Sequence, residues 1–421
     1  MMATRLFLLA AVILALAGCG GKDDDAAPTT AGPSSPPPAK PLLAASSDPA
    51  GSRLSSVSGR TLEPVEGRSV SIPFVVGVAE RSPDGKLLAV GDAEGGTVEL
   101  VDVERMRALD TVDVGRAPFV EKLHWARPDL LLASLGGIPS RVAALDPVTR
   151  RVLSVQNLGG TMLYSEPAGD SLVFLVAPSR GIGPARLVVF DGSGLHTAEL
   201  LEIRAGWGEE GSQEDVRAKH SVPALAVEPS GARALVVPAG GRVAEVDLAS
   251  LNVRYHDLSE PVPLLGRLRD WLEPAAHAKM LEGPDRNAVW LPTGLIAVSG
   301  AQYATEGDQV EMTPAGLSLI DPSDWSVRRL SDEPVWVTFR GGALLASAWK
   351  EGSDEQTLFG FSPDGTPRFT LAREADLSQT SGSHLYATTH DGTRYEIIDL
   401  ETGQTVGRAA PRRETWLLNL D

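Results

Sequence analysis

A unit of about 40 residues, rewritten along most of the chain, limits the fold more than any other feature. Its clearest copy runs from Ser82 to Asp102. There, Ser82-Pro83-Asp84-Gly85-Lys86 makes a tight turn, Leu87-Leu88-Ala89-Val90 a short apolar run, and Gly95-Gly96 a second turn. Thr97-Val98-Glu99-Leu100-Val101-Asp102 follows as a strand closed by an acid. Proline presets φ and glycine supplies a positive φ, so the stretch reads as a hairpin whose last Asp begins the next turn. The position ending that strand recurs at Asp102, Asp146, Asp191, Asp247, Asp321, Ser362 and Asp399, at intervals of 44, 45, 56, 74, 41 and 37 residues.

Upstream of these markers lie near-continuous apolar runs such as Leu130-Leu131-Leu132-Ala133, Leu172 to Val176 and Ala234 to Val237. Strands apolar on both sides must be covered on both faces, and small sheets stacked around an axis cover them. A sandwich or a pair of barrels needs no such period. The expected fold is therefore all-β, a β-propeller over residues 57–421 with seven four-stranded blades; six or eight also fit the spacing. The last blade either finishes with its own Thr405-Val406 or takes its outer strand from Arg60 to Ile72. The units resemble bacterial WD40-like and YVTN-type propeller repeats over roughly residues 70 to 410, although no marker Asp follows a Trp.

The first residues read as an address. Arg5 precedes an apolar run from Leu6 to Leu16, too short to span a bilayer, and Leu16-Ala17-Gly18-Cys19 follows at once. This resembles the lipobox of bacterial lipoproteins. The resemblance implies a signal peptide over residues 1–18, a diacylglycerol thioether on Cys19 and acylation (palmitate in kind) of its new amino group. Several acyl chains make a stable membrane anchor. Residues 19–56, rich in Pro, Ala, Ser and Gly, read as an extended tether. The expected location is the cell envelope, extracytoplasmic. Gly20 in place of Asp resembles an outer-membrane address, facing the periplasm, where two membranes exist.

Composition narrows the partners. A net charge of -17 repels nucleic-acid phosphates and anionic lipid surfaces, so no nucleic acid is expected. Cys19 is the one cysteine, which excludes an intramolecular disulfide and a cysteine-rich zinc site.

Function is expected where the chain spends its extra residues. With strands a to d running outward in each blade, the a-b and c-d turns share one face, and the b-c and d-a connections share the other. The long excursions are all of the second kind: Ser179 to Ala185, Ala205 to Ser221, Pro261 to Arg286, Gln302 to Ala315 and Glu351 to Gln356. Loops on a rigid scaffold hold binding residues, so this face is expected to take a protein partner or a small ligand. Candidate contacts there are Trp207, Glu209, Glu210, Asp215, Arg267, Trp271, Tyr303, Glu306 and Asp308. Leu264, Leu265, Leu268, Trp271 and Leu272 share one side of a helix, and Pro274 suits the start of a second. A small helical insertion, about 261–286, is expected between the fourth and fifth blades, as a docking hairpin or as a cap on the ring.

Catalytic signatures are missing. Gly206-Trp207-Gly208-Glu209-Glu210-Gly211 has dinucleotide-type glycine spacing but puts two carboxylates where phosphate would approach. The seven histidines are scattered. Glu166 and Glu228 precede equivalent turn prolines on adjacent units and are weak metal candidates, as in a lactonase- or esterase-like propeller hydrolase. The aligned positions on other units are Ser82, Arg127, Leu291 and Arg340, two of them cationic, which favours salt bridges at the rim. No catalytic residue, metal or cofactor is expected, and the chain is read as a monomeric, non-catalytic binding scaffold.

Overall fold

The computed structural model describes residues 41–48, 50–207, 218–258, 281–306, 309–349, 356–373, 376–388, 394–411 and 415–418. Eight blades form a ring. Blade one has Leu42–Asp48, Gly51–Val57 and Pro64–Ile72 as its strands b to d, and takes strand a from the C-terminal Thr415–Leu417. Blade two is Val76–Arg81, Leu87–Asp92, Thr97–Asp102 and Arg107–Asp113. Blade three is Val120–Arg127, Leu130–Leu135, Arg141–Asp146 and Arg151–Asn157. Blade four is Thr161–Ala168, Ser171–Ala177, Gly181–Phe190 and Leu195–Trp207. Blade five is Ala224–Val227, Arg233–Val237, Val243–Asp247 and Val253–His256. Blade six is Leu281–Trp290, Ile296–Glu306, Leu317–Asp321 and Ser326–Ser331. Blade seven is Trp336–Arg340, Ala343–Trp349, Gln356–Phe361 and Pro367–Arg373, and blade eight is Asp376–Ser381, His384–Thr388, Tyr395–Asp399 and Thr405–Ala409.

Eight apolar clusters fill the eight seams between neighbouring blades. Each b and c strand is sandwiched between two seams, which is why those strands are apolar on both sides. The ring closes through Ala44↔Leu417, Ala45↔Trp416 and Ser46↔Thr415. Leu417 and Ala44 are buried with Tyr386 and Tyr395 in the seam between blades eight and one.

The expectation of seven blades is corrected to eight. Each marker caps a c-d turn: Asp102 Oδ1 accepts from the Arg105 N–H at 2.8 Å, Asp146 Oδ1 from Val148 at 2.8 Å and Asp399 Oδ1 from Thr402 at 2.9 Å. Four residues past Asp102, Asp146, Asp247 and Asp321, the chain takes a positive φ at Met106, Arg150, Leu251 and Trp325. Ser58 has the same geometry, with Leu62 at φ 55 and the Leu62 N–H donating to the Ser58 carbonyl at 2.9 Å. It is the missing marker, 44 residues before Asp102.

The expected extent of the tether is corrected at its C-terminal end. Leu42–Asp48 and Gly51–Val57, expected within it, are blade strands with Leu43, Ala44, Ala45 and Leu54 buried. The helical insertion is corrected where it is described: residues 281–286 belong to strand a of blade six, and there is no helix among the described residues. Residues 261–280, the rest of that expectation, lie outside them.

Candidate binding face and central channel

On the d-a face described parts of four of the expected excursions join into one added sheet. Strands c and d of blade four continue past their blade, pairing Gly181↔Trp207, Ile182↔Gly206 and Gly183↔Ala205 beyond a bulge. Trp207 and Gly206 then pair with His220 and Ser221 of the short strand Ala218–Ser221, which lies parallel to the start of blade six through Ala218↔Leu281 and Lys219↔Glu282. Gly283 to Arg286 pair with Gly300 to Tyr303, and the continuation of that strand pairs with Gln309–Pro314. Six segments thus run from blade four to blade six. Gly283, at φ +149, makes the parallel contact possible, because a Cβ there would collide with the His220 carbonyl oxygen.

At the base of this sheet His220 is buried, with Nε2 3.0 Å from Asp285 Oδ1. That distance suits an ion pair but the atoms are out of line for a hydrogen bond. Tyr303 packs its ring 5.6 Å from the His220 ring, and burial, with Asp285 assisting, pushes its hydroxyl pKa up. Tyr164 bridges blades four and six by donating to the Arg286 carbonyl at 2.6 Å.

Among the candidate contacts, Trp207 lies on this face and is 42% exposed. Tyr303 is half-buried against His220, and Glu306 ends the strand that pairs with Gln309. Glu209, Glu210, Asp215, Arg267, Trp271 and Asp308, like Cys19, lie outside the described residues. Glu166 and Glu228 are each held by a cation, Lys122 at 3.0 Å and Arg233 at 3.1 Å. These partners are not the aligned arginines: Arg127 faces Asp129 and Asp170, while Arg340 donates to Gln379. No group of three or more His, Cys, Asp or Glu among the described residues is arranged to hold a metal ion.

Exposed large apolar side chains are unevenly shared between the two faces. Val75, Phe119, Ile138, Trp207 and Trp349 all sit at d-a or b-c connections or at the strand ends beside them, whereas among the described residues Val148 alone is exposed at an a-b or c-d turn. Of the rest, Val65, Leu153, Val155 and Leu201 lie on outermost strands and Trp416 on the innermost strand of blade one.

The axis holds a second feature that the sequence reading passed over. A cavity of about 490 Å³ is lined by Glu80 of blade two, Glu121 and Lys122 of blade three, Tyr164 of blade four and Arg340 of blade seven. Blades three and seven are opposite in a ring of eight, so this cavity crosses the central bore. Bulges help to aim its lining, since the a strands of blades two, three and four each slip register near their start, at Gly77, Glu121 and Leu163. Burial pushes the Glu80 carboxyl up to about 7, against the pull of the Lys122 ammonium. Burial also raises Glu121, which faces the open bore but is walled in by protein elsewhere, again with Lys122 opposing. Desolvation lowers the Arg340 guanidinium. The available signal was charged residues inside the first strands, as in Val78-Ala79-Glu80-Arg81.

No protein-family model and no curated protein sequence matches this chain. Among solved structures, the dihydro-heme d1 dehydrogenase NirN in complex with DHE is similar, with a TM-score of 0.57 at 12% identity over 90% of this chain and 76% of that one. Apo AztD from Citrobacter koseri is similar with a TM-score of 0.51 at 11% identity over 89% of this chain and 96% of that one. At such identities the likeness is one of fold: a β-propeller.

Proposed function

We propose that this chain is an extracytoplasmic β-propeller, anchored in a membrane through acylated Cys19, that binds a protein partner on its d-a face without catalysis. In an envelope with two membranes it sits on the periplasmic side of the outer one. The observation that carries the reading is the concentration of exposed apolar side chains on that face, Phe119, Ile138, Trp207 and Trp349 among them. Apolar side chains exposed on one face and nearly missing from the described residues of the other favour a contact surface there, and aromatic anchors dominate the energetics of protein interfaces. The added sheet beside them is a rigid support. Glu166 and Glu228 are occupied by Lys122 and Arg233, which leaves the hydrolase alternative without free ligands from its candidate pair.

The test is a pull-down from native membranes. The wild type should capture a specific partner, the double variant Ile138→Ser, Trp207→Ser should capture at least about tenfold less, and Val148→Ser on the other face should behave as wild type. These side chains are exposed, so each change should alter stability by no more than about 0.5 kcal/mol. The Cys19→Ala chain should leave the membrane fraction. Equal capture by the double variant, or equal loss in Val148→Ser, contradicts the assignment of the face.

A further inference from the structure

The central cavity holds charged groups of both signs whose hydrogen-bonding capacity the described residues leave largely unused. Neither the Glu80 nor the Glu121 carboxylate has a hydrogen-bond or ion-pair partner among the described residues, and across the bore Arg340 makes one hydrogen bond, to Gln379 at 3.2 Å. A guanidinium has five N–H donors and stays charged, so most of its capacity is unused. Lys122, the remaining cation, is already taken by Glu166 at 3.0 Å and by the Ser165 carbonyl at 2.5 Å.

We propose that the channel binds a small amphoteric ligand, an ammonium and a carboxylate on one short backbone, with the ammonium on Glu80 and Glu121 and the carboxylate on Arg340. A ligand of one sign would meet attraction at one wall of the bore and repulsion at the other. A ligand carrying both signs satisfies both walls at once, and charge-assisted hydrogen bonds are the strong ones. The volume of about 490 Å³ lies within the usual range of small-molecule pockets, about 300–1,000 Å³. Free amino acids and short unblocked peptides are the class that fits. The site is separate from the d-a face, and either assignment stands if the other fails.

Calorimetry on the full chain at pH 8 tests it, with tri-L-alanine as probe beside two blocked forms, N-acetyl-tri-L-alanine and tri-L-alanine amide. The free peptide should bind, and each blocked form should bind about tenfold or more weakly. Glu80→Gln and Arg340→Gln should cause similar losses while each still unfolds in one cooperative melting transition. The blocked peptides require only the wild-type chain, so the result does not depend on how the variants fold. Because the raised Glu80 carboxyl must ionise to hold an ammonium, affinity should also fall as pH drops from 8 to 6. Absence of binding by the free peptide, or a blocked form that binds as tightly, overturns the proposal.

Discussion

Glu80 and Asp191 show how placement gives two carboxylates opposite effects on stability. A glutamate ordinarily titrates at 4.5, and burial in the channel wall raises Glu80 to about 7. The folded chain therefore holds that proton more tightly than the unfolded chain, so ionised Glu80 begins to cost stability above pH 4.5 and costs most above 7. Glu80→Gln should melt higher than the wild type at pH 8 and at the same temperature at pH 4; a lower melting point at pH 8 contradicts the burial argument. Asp191 is the reverse case. Burial pushes it up, but the Ser193 hydroxyl and the Ser193 and Gly194 amides outweigh this and hold it at about 2. Its contribution is present above the ordinary 3.8 and is lost as pH falls toward 2. The Asp191 role was legible, because a capping acid recurs with the repeat. Glu80 was not, because a charged residue in one blade's first strand carries no sign of what lies across the axis.

The added sheet depends at element scale on glycines that let backbones touch. Gly283 and Pro284 are residue types that also end helices, and they fall at the end of the expected helical insertion. Both instead sit inside a strand, where Gly283 approaches the His220 backbone and the Pro284 carbonyl accepts from the Val222 N–H at 2.9 Å. The same residue types serve turns and close contacts, so one-dimensional pattern could not separate them. Gly283→Ala should cost about 1–3 kcal/mol through strain confined to this sheet. Hydrogen exchange should quicken at 218–221 and 281–285 and stay unchanged in the Leu131 and Leu235 strands. Uniform quickening around the ring would show instead that the added sheet and the blades open as one unit.

For the whole molecule, the number of blades follows from how the ends meet. Blade one joins strands from both ends of the described chain, and the three pairs Ala44↔Leu417, Ala45↔Trp416 and Ser46↔Thr415 remove the free edges that an open ring would expose. Seven units were legible because their b and c strands are continuous apolar runs and Asp marks all but one of them. The eighth was hidden on three counts: Ser58 replaces Asp, its strands carry Ser46, Ser47, Ser52, Ser55 and Ser56, and its inner strand lies at the opposite end of the chain. The sequence did reveal which face is elaborated, since connection type alone assigns a face once strand order is known. That face is the centre of the functional account. The most direct measurement is photocrosslinking in intact cells, with a photoreactive phenylalanine placed at position 138, 207 or 148. Positions 138 and 207 should capture the same partner and position 148 none. Capture at 148 without capture at 138 and 207 would place the partner on the other face and contradict the assignment.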